Sequence, residues 1–302
     1  MIQDFLIADF RIRIPDEELL ASLGHFGRAL GVFSVEYDPK EEVVLTLATE
    51  REVSAPDFAA WKQIDEFDFL EVEAICRFYT RGEEFLFAME RAGEVLWFKK
   101  QIQSPEVESN IATYPRTAEF GSLVRFGLWM MFGIAITPRH AIAIHSSTIQ
   151  CGERAALFLG ESGTGKSTHT RLWREHIAGA RLLNDDSPII RIYEGETRVY
   201  GSPWSGKTPC YKQEHYPIGG MVRLSQAPHN KIHRLGVIQA IGALLPSCPP
   251  AFAFDARLQD AICESLSQLI SRVPVYHLEC LPDKAAAELS YNSLLGHEAN
   301  LK

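Results

Sequence analysis

The alternation of apolar and polar positions divides the chain into a strand-rich first part and a mixed second part. Phe10, Ile12 and Ile14 alternate with Arg11 and Arg13, the period-two pattern of a half-buried strand. Val43-Val44-Leu45-Thr46-Leu47 is a second strand candidate. A meander follows. Val72, Ala74, Cys76 and Phe78 alternate, Arg81-Gly82-Glu83 turns, and Phe85, Phe87 and Met89 alternate. Ala92-Gly93-Glu94 then turns again into Val95-Leu96-Trp97-Phe98. Gly-bearing turns at this spacing predict consecutive hairpins. Residues 103–117 are polar, contain Pro105 and Pro115, and read as a linker.

From 118 the period changes to that of a helix. Phe120, Leu123, Val124, Leu128, Met131 and Phe132 form a helical stripe through about 136. The run from Phe120 to Thr137 is mostly apolar, but it holds Arg125 and is marginal in length for a membrane span. A buried or half-buried helix is expected there. Next come a strand at 139–145 that ends at His145, a strand at 155–159 and a helix at 167–177 broken by Ala178-Gly179-Ala180. Residues 181–184 form a short strand, and 189–193 with 197–200 form a hairpin turned by Glu194-Gly195-Glu196. Gly201 to Pro217 is a long loop of the kind that often carries function. A strand at 221–224, a short helix at 237–245, an amphipathic helix at 255–272 and a strand at 275–280 complete the pattern. Asp283 is placed to cap a last helix through Leu289. The expected organisation is α/β (α+β), with a β-rich domain over residues 1–110 and a second domain over 111–302.

Bulk properties narrow the class. The 302 residues are 46% hydrophobic and 23% charged, an ordinary globular composition. A net charge of -9 argues against non-specific binding to nucleic acid or to an anionic membrane. The six cysteines contain no C-x-x-C pair, so a zinc site is not expected. Asp4 and Asp9 fall where a signal peptide would carry a basic start, so reduced thiols and a cytoplasmic location are expected. The β-rich part carries no evident chemistry. Packing is its default role, with substrate docking or oligomer contact as alternatives.

The chemistry concentrates in Gly160-Glu161-Ser162-Gly163-Thr164-Gly165-Lys166-Ser167, a G-x-x-x-x-G-K-S string of the Walker A type. Its glycines let backbone N–H groups turn inward around a polyphosphate. Lys166 would reach the β- and γ-phosphates, and the Ser167 hydroxyl would meet Mg²⁺. The apolar run before the loop and the helix after it, which starts at Ser167-Thr168, supply the required strand–loop–helix context. A second formal match, Gly201-Ser202-Pro203-Trp204-Ser205-Gly206-Lys207-Thr208, fails this test. It holds Pro and Trp, and no helical stripe follows it.

Two further groups sit where phosphoryl transfer needs them. Asp185-Asp186 ends the strand after the helix. If that strand neighbours the loop strand, one carboxylate can hold Mg²⁺ and the other can take the proton of an attacking hydroxyl. His145 ends its own apolar run before the loop, where it can partner an Asp or the phosphoryl group, or act as a rim histidine capping backbone groups.

Ile144-His145-Ser146-Ser147, the Gly160–Ser167 loop and Leu183-Asn184-Asp185-Asp186 together resemble the catalytic core of HPr kinase/phosphorylase. That family shares its fold with ATP-dependent phosphoenolpyruvate carboxykinase, whose loop Gly163-Thr164-Gly165-Lys166-Ser167-Thr168 also resembles. The likeness is strongest over residues 141–190. Gly201–Lys207, Met221–Leu235 and Val275–Leu289 look like parts of a broader group of HPr-kinase-like proteins. The resemblance implies a P-loop core that binds ATP and Mg²⁺. By it, Lys166 binds phosphate, Ser167 binds Mg²⁺, Asp186 is the base assisted by His145, and Asp185 supports the metal or shares the proton work. The Asp pair lies one residue later than in the family, so the division between Asp185 and Asp186 stays open. The family's downstream acidic metal ligand has Glu194 and Glu196 as candidates, and its basic loop residue has Lys207. Trp204 and Tyr211 are candidates to wall the site. The expected activity is transfer of a γ-phosphoryl group to a hydroxyl, that of a serine in a peptide or protein or of a small molecule. A carboxykinase-like lyase and a nucleotide-dependent binding module without transfer are the alternatives.

Overall fold

A computed structural model describes residues 2–49, 53–206 and 208–296. Among them the protein is mixed α/β, with two sheets and seven α-helices. Two compact units are formed, one from residues 1–139 with 251–259 and the other from 140–250 with 260–302.

The first unit contains β1 (Gln3–Ile7), β2 (Phe10–Ile14), α1 (Glu17–Ser22), α2 (His25–Gly31), β3 (Ser34–Val35) and β4 (Leu45–Leu47). These are followed by β5 (Lys62–Phe69), β6 (Ala74–Arg81), β7 (Glu84–Arg91), β8 (Glu94–Gln101), β9 (Glu106–Ser109) and α3 (Phe120–Ile136). Its nine strands run β3-β1-β2-β4-β9-β8-β7-β6-β5 across one sheet. The expected hairpins are present: β6, β7 and β8 pair antiparallel through turns at Gly82 and at Ala92-Gly93. Both residues of the second turn have positive φ, 52° and 83°, as a two-residue hairpin turn demands.

The segment expected as a linker contains β9. Its Glu106-Val107-Glu108-Ser109 alternates with Val107 buried and joins β4 to β8. Only four residues alternate there, too few to stand out beside the flanking prolines. In β7, Phe85 through Met89 are all buried, where alternation had implied one buried face. Trp61, Tyr79, Leu86, Ala88 and Trp97 build a second apolar cluster on the other face.

Helix α3 fits against the sheet at Gly127, where an added Cβ would come within 2.2 Å of the Phe98 ring. By length and composition alone, α3 with its turn through Arg139 could cross a membrane, and 72% of its most apolar window is buried in the protein. Among the described residues of this unit Asp4, Lys100 and Asp255 are buried charged groups, and Asp255 is paired with Arg257 at 2.8 Å. Asp4 is fully buried between Arg11 and Arg13, which donate to it at 3.0 and 2.7 Å. Lys100 is 2% exposed and donates to the Ser104 carbonyl; burial, reinforced by the charge of Arg139, lowers its pKa to about 8.

The second unit contains β10 (Ala141–Ala143), β11 (Ser147–Cys151), β12 (Arg154–Leu159), α4 (Lys166–His176), β13 (Arg181–Asn184), β14 (Ile189–Ile192), β15 (Thr197–Tyr200) and β16 (His215–Gln226). After them come β17 (Lys231–Arg234), α5 (Val237–Leu244), α6 (Ala256–Arg272), whose first turn belongs to the other unit, β18 (Val275–Cys280) and α7 (Lys284–Leu294). The sheet order is β10-β14-β15-β16-β12-β11-β13, with β18 on β16 and β17 on β18. Strand β16 is long enough to serve two neighbourhoods. Its first residues pair antiparallel with β15, and the rest run parallel to β12 on one side and to β18 on the other. Three parallel strands, β12, β16 and β18, therefore end on the same edge.

Helix α4 buries His169, Leu172 and Trp173, spaced by three and four, against Phe158 of β12 and against α7. Burial of Leu172 and of Trp173 contributes roughly 2 kcal/mol each. Trp173 Nε1 donates to Ser290 Oγ at 2.8 Å, so α7 also satisfies the one polar atom of that indole. Asp283 caps α7 by accepting from the Ala286 N–H, as its position implied.

Candidate functional site

The loop from Gly160 to Gly165 joins the end of β12 to the start of α4, the strand–loop–helix arrangement expected of it. Its glycines carry the bend: φ is 147° at Gly160, 84° at Gly163 and 102° at Gly165. A side chain in the last two places would face open space but would strain the backbone. Gly165 caps α4 without a side-chain hydrogen bond, so the first turn of the helix presents its N–H end to the loop. The Lys166 ammonium donates to the Gly160 carbonyl at 2.6 Å and the Glu161 carbonyl at 3.2 Å. Burial lowers the Lys166 pKa, Asp186 and Asp185 oppose that shift, and Arg223 adds to it. Lys166 therefore lies within electrostatic reach of both aspartates and of a second cation.

That second cation was missed by reading the sequence. Arg223 sits in β16 directly opposite Leu159, the last residue of β12. Its guanidinium contacts Glu161 Oε1 at 3.3 Å and donates to the Ala243 carbonyl at 3.3 Å. Three residues on, Gln226 donates to the Gly163 carbonyl at 3.1 Å. The end of β16 thus braces the loop at two points. Only the pairing of β16 with β12 discloses this, because the two strands are remote in sequence.

Asp185 and Asp186 reach the loop by an unexpected route. Strand β13, which they follow, is not the neighbour of β12; β11 lies between them, antiparallel to both. Asn184, fully buried at the end of β13, fixes the turn. Its Oδ1 accepts the N–H groups of Asp186 and Ser187, both at 2.9 Å. Its Nδ2 donates to the Ser202 and Trp204 carbonyls at 3.4 and 3.2 Å and to Ser202 Oγ at 3.2 Å. Asn184 therefore ties the Asp pair to the Gly201 loop.

Residues 144–146 lace onto the same turn. Ile144 N–H donates to the Pro188 carbonyl and Ser146 N–H to the Asp186 carbonyl, while His145 N–H donates to the Ser247 carbonyl. This lacing brings His145 Nδ1 to 3.1 Å from Asp186 Oδ1. The two aspartates have separate partners, since Asp185 Oδ1 accepts from Ser147 Oγ at 2.8 Å. Ser147 was within the family-like stretch but had no role assigned from sequence.

The second glycine string forms no strand–loop–helix. Ser202 to Ser205 are buried in an irregular segment, and β16 follows in place of a helix. Trp204 is 2% exposed, packed inside and not walling the site; Tyr211 is half-buried. Gly206 lies against the Asp pair, where an added Cβ would stand 2.9 Å from the Asp185 carbonyl oxygen and 3.4 Å from the Asp186 Cβ. Lys207, expected to supply charge from this loop, lies outside the described residues. Glu194 and Glu196 occupy the β14–β15 turn, at the end of that hairpin away from Asp186, and Glu196 is paired with Arg198 at 2.8 Å. The structure does not bring them to the Asp pair. Ser167 and Thr168 occupy the first turn of α4, Ser167 exposed and Thr168 half-exposed.

Among the described residues no cluster of three or more His, Cys, Asp or Glu is arranged to hold a metal. Ser167 and Asp185 supply oxygen donors only, the ligand type that Mg²⁺ takes when phosphates and water complete its shell. No protein-family model matches the chain, and no curated protein matches it.

Proposed function

We propose that the second unit is a P-loop core of the HPr kinase/phosphoenolpyruvate carboxykinase type, and that it transfers the γ-phosphoryl group of ATP to a hydroxyl. The observation that carries this reading is the convergence of three remote stretches. The glycine-rich loop with Lys166, the His145–Asp186 pair and the Ser147–Asp185 pair come together, with Lys166 within reach of both aspartate charges. A phosphate-binding site alone would need only the first.

In this reading the loop N–H groups and Lys166 hold the phosphates, with Arg223 adding a planar cation at the loop's edge. To do so Lys166 exchanges the Gly160 carbonyl for a phosphate oxygen. Mg²⁺, held by Ser167 and Asp185, would neutralise charge on the phosphates. Asp186 accepts the proton of the attacking hydroxyl, and His145 Nδ1 orients that carboxylate or shares the proton. Asn184 positions both carboxylates through the backbone it grips. Asp186 as base agrees with its exposure: it is 32% exposed beside the half-exposed His145, so an incoming hydroxyl can reach it. The acceptor is a serine of a peptide or protein, or a small-molecule alcohol.

The carboxykinase alternative has less support. It needs a basic partner for His145, and Arg139, the nearest candidate besides His140, donates to the Ala135 carbonyl. The test is incubation of the protein, Mg²⁺ and γ-labelled ATP with a cell lysate, followed by mass spectrometry of labelled products. A labelled hydroxyl that disappears with Asp186→Asn supports transfer. Tight ATP binding with no labelled product in any mixture sinks it and leaves a nucleotide-dependent binding module.

A further inference from the structure

Helix α5 is apolar on every side, yet half of it faces solvent. Ala240, Ala243 and Leu244 are buried, while Val237 is 65% and Ile238 86% exposed. Ile238, the half-buried Ile241 and the exposed Gly242 share one face at helical spacing. The one polar side chain of the helix, Gln239, turns back to accept from the Gly236 N–H at 3.2 Å. A helix that is apolar all round is ordinarily buried, and a clustered apolar exposure marks a surface that something covers.

The helix is tied to the site at its carboxyl end. Arg223 donates to the Ala243 carbonyl, and the turn after α5 offers the Ser247 carbonyl to the His145 N–H at 2.7 Å. The segment therefore runs from the brace of the glycine-rich loop to the residue beside Asp186. From Ala243 back to Val237 is about 9 Å of helix, a span that about three residues of extended peptide cover. The sheet adds charge to this surface. Arg223 lies in register with His277 of β18, and His277 with His233 of β17, the outer strand. Side chains in register share a face, so the three form a row from the α5 contact to the sheet's margin. Ser225 is 2.9 Å from His277 Nε2, and in its row Lys231 stands opposite Glu279, which also has His229 at 3.9 Å. Glu161 of the loop is the acid on Arg223. From His215 to Phe254 the chain has no Asp or Glu, in a protein with 39 of them.

The occupant must therefore combine apolar with acidic side chains. Three apolar side chains fall far short of the roughly 800 Å² per partner that a stable dimer buries, so a short segment that is held and released fits better than a second copy. We infer that β17 and α5 dock a peptide segment carrying the acceptor serine, with Val237 and Ile238 taking its apolar residues and Lys231 and His233 its acidic ones. The acceptor is thereby narrowed from any hydroxyl to a serine in an acidic, apolar peptide. This rests on the reading that the site phosphorylates a hydroxyl.

The experiment gives the full chain, Mg²⁺ and γ-labelled ATP a library of peptides with a central serine and randomised flanks. Labelled peptides are expected to be enriched in Asp and Glu and in Leu, Ile, Val and Phe near the serine. For the best peptide, Val237→Ser with Ile238→Ser is expected to raise KM by about tenfold and leave kcat unchanged. Lys231→Glu with His233→Glu is expected to turn the charge preference from acidic to basic flanks. All four positions are exposed, so both double variants retain the fold.

Labelling without flank preference, or preferences that both double variants keep, overturns the inference and leaves phosphoryl transfer standing. So does a dimer, seen by light scattering, that Val237→Ser with Ile238→Ser dissolves, because the patch then belongs to a second copy. If no peptide is labelled, the same library is passed over the immobilised protein with Mg²⁺ and ADP. Retention of acidic, apolar peptides that both double variants lose supports the docking surface and counts against transfer. No selective retention overturns the docking surface, and labelling in the lysate then decides transfer by itself.

Discussion

His145 Nδ1 stands 3.1 Å from Asp186 Oδ1, and backbone bonds on both sides of each residue hold them there. Ser146 N–H bonds the Asp186 carbonyl, so the pair is fixed by main chain as well as by side chains. A base that must meet a hydroxyl in one orientation benefits from such restraint. Asp186→Asn keeps the shape and removes the proton acceptor. It is expected to lower the rate of phosphoryl transfer by at least about 10²-fold, with ATP affinity within about threefold of the original. Single-turnover kinetics and a nucleotide titration check both halves. A variant with undiminished transfer shifts the role to Asp185.

Arg223 yields a different signature. Its guanidinium lies at the loop's rim against Glu161 and makes no contact with the catalytic candidates that the structure shows. Arg223→Gln is expected to weaken ATP binding by about tenfold, the scale of one charge-assisted hydrogen bond. Arg223→Lys restores only part, because a single ammonium cannot make both of the contacts the guanidinium makes. Titration of the two variants with ATP tests this, and equal affinity for the glutamine variant and the original protein rejects it.

Asn184 is the structural keystone of the turn. Asn184→Asp retains the acceptor for the Asp186 and Ser187 N–H groups but replaces a donor with an oxygen facing the Ser202 and Trp204 carbonyls. Removing the amide donor and opposing a charge to those carbonyls, of which that of Trp204 keeps the Ser202 hydroxyl, should destabilise the fold by about 2–4 kcal/mol. Urea unfolding measures it. A variant within about 0.5 kcal/mol of the original shows that the turn does not depend on this side chain.

Lys100 gives a pH dependence that belongs to the first unit. Burial lowers its pKa to about 8 from an ordinary 10.5. The unfolded chain therefore binds the proton more readily than the folded one, and stability from this group rises as pH climbs from 8 to 10.5 and is lost on the way down. Below pH 8 the charge is buried at full cost. Lys100→Met removes the charge and keeps the stem. Its stability advantage over the original protein should be greatest below pH 8 and shrink by at most about 3 kcal/mol toward pH 10.5. Paired urea titrations across that range test the sign, and an advantage that grows with pH contradicts it.

Local pattern determined much of this protein. The alternation of Phe10, Ile12 and Ile14, the hairpins of β6 to β8, the helix from Phe120, the glycine-rich loop between β12 and α4 and the capped helix after Asp283 all follow from residues near one another. Such elements need only spacing and turn chemistry, which a linear sequence displays. Tertiary structure alone decided the insertion of β11 between β12 and β13, the use of Arg223 and Gln226 as braces and the conversion of the Gly201 string into a clamp for Asn184. These depend on which strands pair and on which buried amides find partners. Sheet pairing joins residues far apart in the chain, and a buried amide is satisfied by whatever backbone the fold brings to it. That is why the catalytic candidates could be named from the sequence while the groups that hold them in place could not.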